Sequence, residues 1–131
     1  MNQASVHKKF IFNEKIDQDY VHSLYEEDYT YIMEIFSSCL ETLNEELQSF
    51  SSAFESSDIP ALKRGAHKLK PLFGFTGLLD HQEKLARFEH ACTSATNTGN
   101  ITVQFIDLME VIKEGKNILQ DDYNRLTAFT S

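Results

Sequence analysis

From Asp28 to Phe54 the apolar residues recur at steps of three and four: Tyr29, Ile32, Met33, Phe36, Leu40, Leu43, Leu47, Phe50 and Phe54. That spacing keeps one stripe of a helix apolar over many turns. A helix with so long a stripe is stable in water only against partner helices. The rest of the chain supplies them. Asp28 is the expected N-cap of this long helix. Asp58, with Pro60 in the first turn, opens another helix. Leu85, Phe88 and Cys92 mark the inner face of a helix over roughly 79–95. Phe105, Leu108, Met109, Ile112, Leu119, Tyr123 and Leu126 mark one over roughly 101–126, after a loop at 96–100. Residues 16–25 read as a short lead helix with Ile16, Tyr20, Val21 and Leu24 on one side. The 131 residues hold only two prolines and five glycines, few breakers for an all-helical chain. The expected fold is therefore all-α: an antiparallel four-helix bundle with a short N-terminal lead helix. Residues 1–15 lack periodicity and read as a loosely packed arm, with residues 16–131 forming one domain.

The helix that begins at Asp58 has two unlike faces. Leu62, Ala66, Leu69 and Phe73 fall within a narrow arc, and His67 points the opposite way. Its neighbours on the surface are Lys63, Arg64 and Lys70, with Pro71 one turn on. Three cations around an exposed imidazole, in a chain of net charge −8, suit an anion. Phosphate carried on the ring itself is the simplest candidate. An imidazole of ordinary pKa, about 6.5, is mostly neutral at pH 7 and is a nucleophile without a separate base. Pro71 has no N–H, so the helix is expected to kink, loosen or approach its end after His67. Gly74 and Gly77 are expected to open it into a turn, and Phe73 and Phe75 to close the end of the bundle.

The run Ala66-His67-Lys68-Leu69-Lys70, followed by Gly77, resembles the signature of histidine-containing phosphotransfer (HPt) domains. The likeness extends to the helix order over roughly 16–126. The resemblance implies that His67 accepts a phosphoryl group from a receiver-domain aspartate and passes it to another receiver. Lys70 matches the lysine that supports the phosphate, and Gly77 the glycine of the turn into the next helix. Pro71 stands where the family usually has glycine, and Leu72 and Phe73 where it has small residues. Lys63, Arg64, Pro71 and Gly77 are the expected partner-binding positions. The implied partners are response-regulator receiver domains and a hybrid sensor histidine kinase, in two-component phosphorelay signalling.

Several classes of function are disfavoured. There is no G-x-x-x-x-G-K-[ST] loop and no G-x-G-x-x-G turn, so the chain is expected to carry phosphate without kinase activity of its own. An acidic chain with a pI near 5.0 is not a general nucleic-acid or membrane binder. No apolar run nears the roughly 18 residues that cross a bilayer, and residues 1–10 lack the apolar stretch of a signal peptide. A cytoplasmic monomer is expected. His7, His22, His81 and His90 have no cationic frame, and Asp19 and His22 have ligand spacing but no matching second element. No metal or other cofactor is expected in this chain, the divalent ion belonging to the partner receiver. Ser51, Ser52, Ser56 and Ser57 read as loop and cap residues. Cys39 and Cys92 read as buried free thiols. The alternative is a helical adaptor that binds receiver-like partners without chemistry.

Overall fold

In a computed structural model, residues 8–131 are described. Five α-helices and a single 3-10 turn, with no strand, account for the regular structure among these residues. They are α1 (Gln18–Tyr25), α2 (Tyr29–Glu55), α3 (Ile59–Phe75), α4 (Leu79–Ser94) and α5 (Thr102–Thr130), with the turn at Thr98–Asn100. Three aspartates start three helices by one device. Asp17, Asp28 and Asp58 accept hydrogen bonds from the N–H groups of Tyr20, Tyr31 and Ala61. Each cap satisfies a donor that the first turn leaves unpaired, which stabilises a helix by about 1 kcal/mol.

The seam of α2 faces inward as its spacing requires. Tyr29, Ile32, Phe36, Leu40, Leu43 and Phe50 are buried, and Cys39 and Ala53 widen the stripe. Leu62, Ala66, Leu69 and Phe73 from α3, Leu85, Phe88 and Cys92 from α4, and Phe105, Leu108, Ile112, Leu119 and Leu126 from α5 complete the core. α3 packs most extensively against α4; α2 packs on α3 and α5, and α4 also touches α5. Cys39 and Cys92 are buried free thiols, and burial pushes the Cys39 thiol up to about 11.

Several expectations change. Residues 8–15 are not loosely packed. Phe10 and Phe12 are buried in the same core, while Ile11 between them is exposed. This in–out alternation is that of an extended segment, which the helical period does not detect. The segment forms a strap over α5 and the start of α2. The Asn13 N–H donates to Asp122 Oδ2 at 2.7 Å, and Arg125 donates to the Ile11 carbonyl while pairing with Asp122. Asp122 is thereby fully paired although fully buried. Residues 1–7, His7 among them, lie outside the described residues. In α1 only Val21 is buried; Tyr20 and Leu24 are exposed, because Ile16 enters the core ahead of the helix. α5 runs one turn beyond 126, where Phe129 packs edge-on against Phe10 and Tyr29.

The end of α3 also differs. The helix runs unbroken through Pro71 and stops one turn later at Phe75. Gly74 does not open a turn. It is helical and buried, and a Cβ there would meet the Gln82 amide of α4. The turn belongs to Gly77, whose φ of +80° suits only glycine. Phe73 closes the core as expected, but Phe75 is 51% exposed.

Candidate functional site

The basic face of α3 turns outward because its opposite arc is fixed in the core. Leu62, Ala66 and Leu69 are wholly inaccessible, whereas the His67 side chain is 70% exposed. The ring is not unpartnered. Its Nδ1 lies 2.9 Å from Oε2 of Glu89 on α4. The other oxygen of Glu89 accepts from Lys70 Nζ at 2.7 Å. One carboxylate thus bridges the histidine and the lysine that follows it by one turn.

Glu89 is held below the usual carboxylate range, first by the hydrogen bond from Lys70 and then by that from His67, against a partial cost of burial. At neutral pH it is ionised and can only accept. The proton in the 2.9 Å contact is therefore on Nδ1 of His67. A neutral ring then carries its lone pair on Nε2.

His67 and Glu89 share a surface cavity of about 340 Å³ with Lys63, Arg64 and Lys68. Lys68 Nζ stands 3.8 Å from Glu46 of α2. Among the described residues Lys63 and Arg64 have no ion-pair partner. The cluster therefore offers two uncommitted cations, two lysines paired with carboxylates and a ring nitrogen with a free lone pair. This is a place for a small, multiply charged anion.

Of the positions singled out in the sequence, His67, Lys63 and Arg64 come together at this cavity, with Lys70 joined through Glu89. Pro71 is exposed one turn past His67. Gly77 is not brought to the site. It is buried beneath Val21 and Ile16, and its carbonyl accepts the Asp17 N–H. Glu89 is the residue that sequence reasoning missed. Its signal was an acidic side chain directly beside Phe88 on the inner-facing side of α4, opposite a basic helix.

Two other histidines are engaged elsewhere. His22 Nε2 pairs with the Tyr29 hydroxyl, and His81 is buried against Glu114. Among the described residues no group of three or more histidine, cysteine or acidic side chains is placed to hold a metal ion. No helix among them is long and apolar enough to cross a membrane. Phe75 at the end of α3 and Tyr31 at the start of α2 are exposed, as are Leu24 and Tyr20 of α1. Tyr25 ties their elements together, its hydroxyl donating to the Phe75 carbonyl and its ring meeting Tyr31 edge-on.

A family model described as Hpt domain matches residues 34–128. The chain is similar in fold to a solved structure from Shewanella, the HPT domain of a sensor hybrid histidine kinase. The TM-score is 0.73 at 14% identity, covering 85% of this chain and 95% of that one. No curated protein matches the sequence.

Proposed function

Because the chain belongs to the Hpt domain family, we propose that it is a phosphorelay carrier that works through His67. The observation that carries this reading is the exposed ring with its Nδ1 proton held by Glu89, which leaves Nε2 as the free nucleophile. Nε2 attacks the phosphorus of a receiver aspartyl phosphate. The N–P bond forms, the bond to the aspartyl oxygen breaks, and the aspartate leaves as carboxylate. The proton stays on Nδ1 throughout. Lys63, Arg64 and Lys70 compensate the phosphoryl oxygens, and the receiver's divalent ion compensates them from the other side. Return of the group to a second receiver aspartate reverses these steps.

The chain acts as a carrier without kinase activity, resident metal or other cofactor, as a monomer in the cytoplasm. Its partners are receiver domains and the hybrid kinase that bears one. The contacts of α2 with α3, α3 with α4, α4 with α5 and α5 with α2 support an antiparallel four-helix bundle. The connections at 56–58, 76–78 and 95–101 are short enough to favour reversal of direction between neighbouring helices. The exposed Phe75 and Tyr31, joined through Tyr25, give a docking receiver apolar surface near the end of the histidine helix.

The test is incubation with a phosphorylated receiver domain. The chain is expected to gain phosphate that is labile in acid and stable in base. His67→Gln is expected to abolish this gain with helicity unchanged, because Gln cannot form the N–P bond and the position is exposed. Label retained on another histidine would overturn the assignment. A wild-type chain that binds the receiver and takes no phosphate would establish the adaptor reading instead.

A further inference from the structure

We propose that Glu89 is a positioning residue that sets how readily the phosphoryl group leaves His67, by keeping a proton on Nδ1 of the phosphorylated ring. The inference rests on the reading of His67 as the phosphoryl carrier. Its ground is the fork at Glu89: Oε2 meets the ring at 2.9 Å while Oε1 is held by Lys70 at 2.7 Å. The carboxylate is thus fixed against the side of the ring that does not react.

The chemistry turns on the leaving group. When the N–P bond breaks, its electron pair returns to Nε2. If Nδ1 keeps its proton, the departing ring is neutral imidazole. If Nδ1 has lost it, the departing ring is imidazolate, a far more basic and poorer leaving group. Mobility of the phosphoryl group therefore follows the fraction of rings protonated at Nδ1. An opposite charge in hydrogen-bond contact favours that cationic ring, and like charges disfavour it. The charged groups facing the ring are Lys63, Arg64 and Lys68 on α3, Lys70 one turn on, and Glu89 from α4. Glu46 of α2 reaches Lys68. Glu89 is the carboxylate that touches the ring, and it offsets the surrounding cations where the proton sits.

Glu89→Gln separates charge from geometry, since a glutamine oxygen still accepts the Nδ1 proton and keeps Nε2 free. Wild type, Glu89→Gln and Glu89→Asp are phosphorylated with phosphoramidate, a small donor that needs no docking surface. Loss of histidine-bound phosphate is followed by ³¹P NMR between pH 5 and 9. All three are expected to lose phosphate faster at lower pH. In Glu89→Gln the rise is expected about one pH unit lower than in wild type. At intermediate pH its phosphate then persists about tenfold longer, the ratio that one unit implies. Glu89→Asp, which keeps the charge, is expected to follow wild type more closely than the Gln variant does. Superimposed wild-type and Gln profiles would overturn the inference and leave the carrier reading intact. A wild-type chain that takes no phosphate on His67 would overturn both.

Discussion

Lys70 has two claims on its ammonium group. In the unphosphorylated chain it donates to Glu89 at 2.7 Å. In the proposed reaction it faces the phosphoryl oxygens, whose charge must be met as the group arrives. Lys70→Ala removes a contact that strengthens as the reaction proceeds, so the loss belongs in the rate. Transfer is expected to slow about tenfold to a hundredfold, about 1.4–3 kcal/mol, with a smaller change in receiver affinity. Single-turnover transfer against a titrated binding curve checks this. An unchanged transfer rate with weaker binding would make Lys70 a docking residue only. His67 and Lys70 were legible in the sequence because one helix displays them together, opposite an arc that must be buried. Glu89 was not, because it comes from another helix, 22 residues away, and only the packing of α4 on α3 brings it to the ring.

Among the elements, the contact of α4 with α5 carries its own titration. His81 at the start of α4 is 4% exposed, and its Nε2 lies 2.9 Å from Glu114 of α5. The other oxygen of Glu114 accepts from Lys15 at the end of the strap, also at 2.9 Å. Burial pulls the His81 imidazole below its ordinary 6.5, although Glu114 opposes the shift. The Glu114 carboxyl is held below 4.5, first by Lys15 and then by His81. An unfolded chain takes up a proton on His81 near pH 6.5, and the folded chain resists until lower pH. Below about 6.5 the unfolded state therefore binds more protons, and stability falls as pH falls. Glu114 adds to the fall below 4.5, where its favourable contacts are lost as it protonates. The urea midpoint is expected to decline from pH 7 toward 4. His81→Leu is expected to flatten the upper part of that decline, and an identical slope in the variant would remove His81 as its source. The helices themselves were mostly legible, since Asp28 and Asp58 cap them and the apolar stripes mark their faces. Gly74 was misread because a glycine near a helix end signals a turn equally well whether it frees the backbone or admits a neighbour. The Gln82 amide settles which.

At the scale of the whole molecule the strap is part of the core. Phe12 is 5% exposed and meets the rings of Phe10, Tyr29, Phe36 and His22. Phe12→Ala is expected to lower stability by about 3–5 kcal/mol, the range for emptying a buried phenylalanine site. That is a large share of the total for a domain of this size, and chemical denaturation measures it. A loss below about 1 kcal/mol would show that the segment can leave without cost. The strap was illegible because its two buried residues alternate with an exposed one over too short a run to show a period. Its tie to α5 also has a kinetic side. The bond from Asn13 to Asp122 spans 109 positions, whereas α3 and α4 are joined by a turn of three residues. Contacts between distant positions close late, after local ones have formed. Phe12→Ala should therefore act mainly on the unfolding limb of a chevron, leaving the folding rate nearly unchanged. The helical hairpin that holds His67 against Glu89 then assembles before the far end of the chain is fastened. A chain emerging from synthesis could arrange its reactive ring well before it becomes hard to unfold.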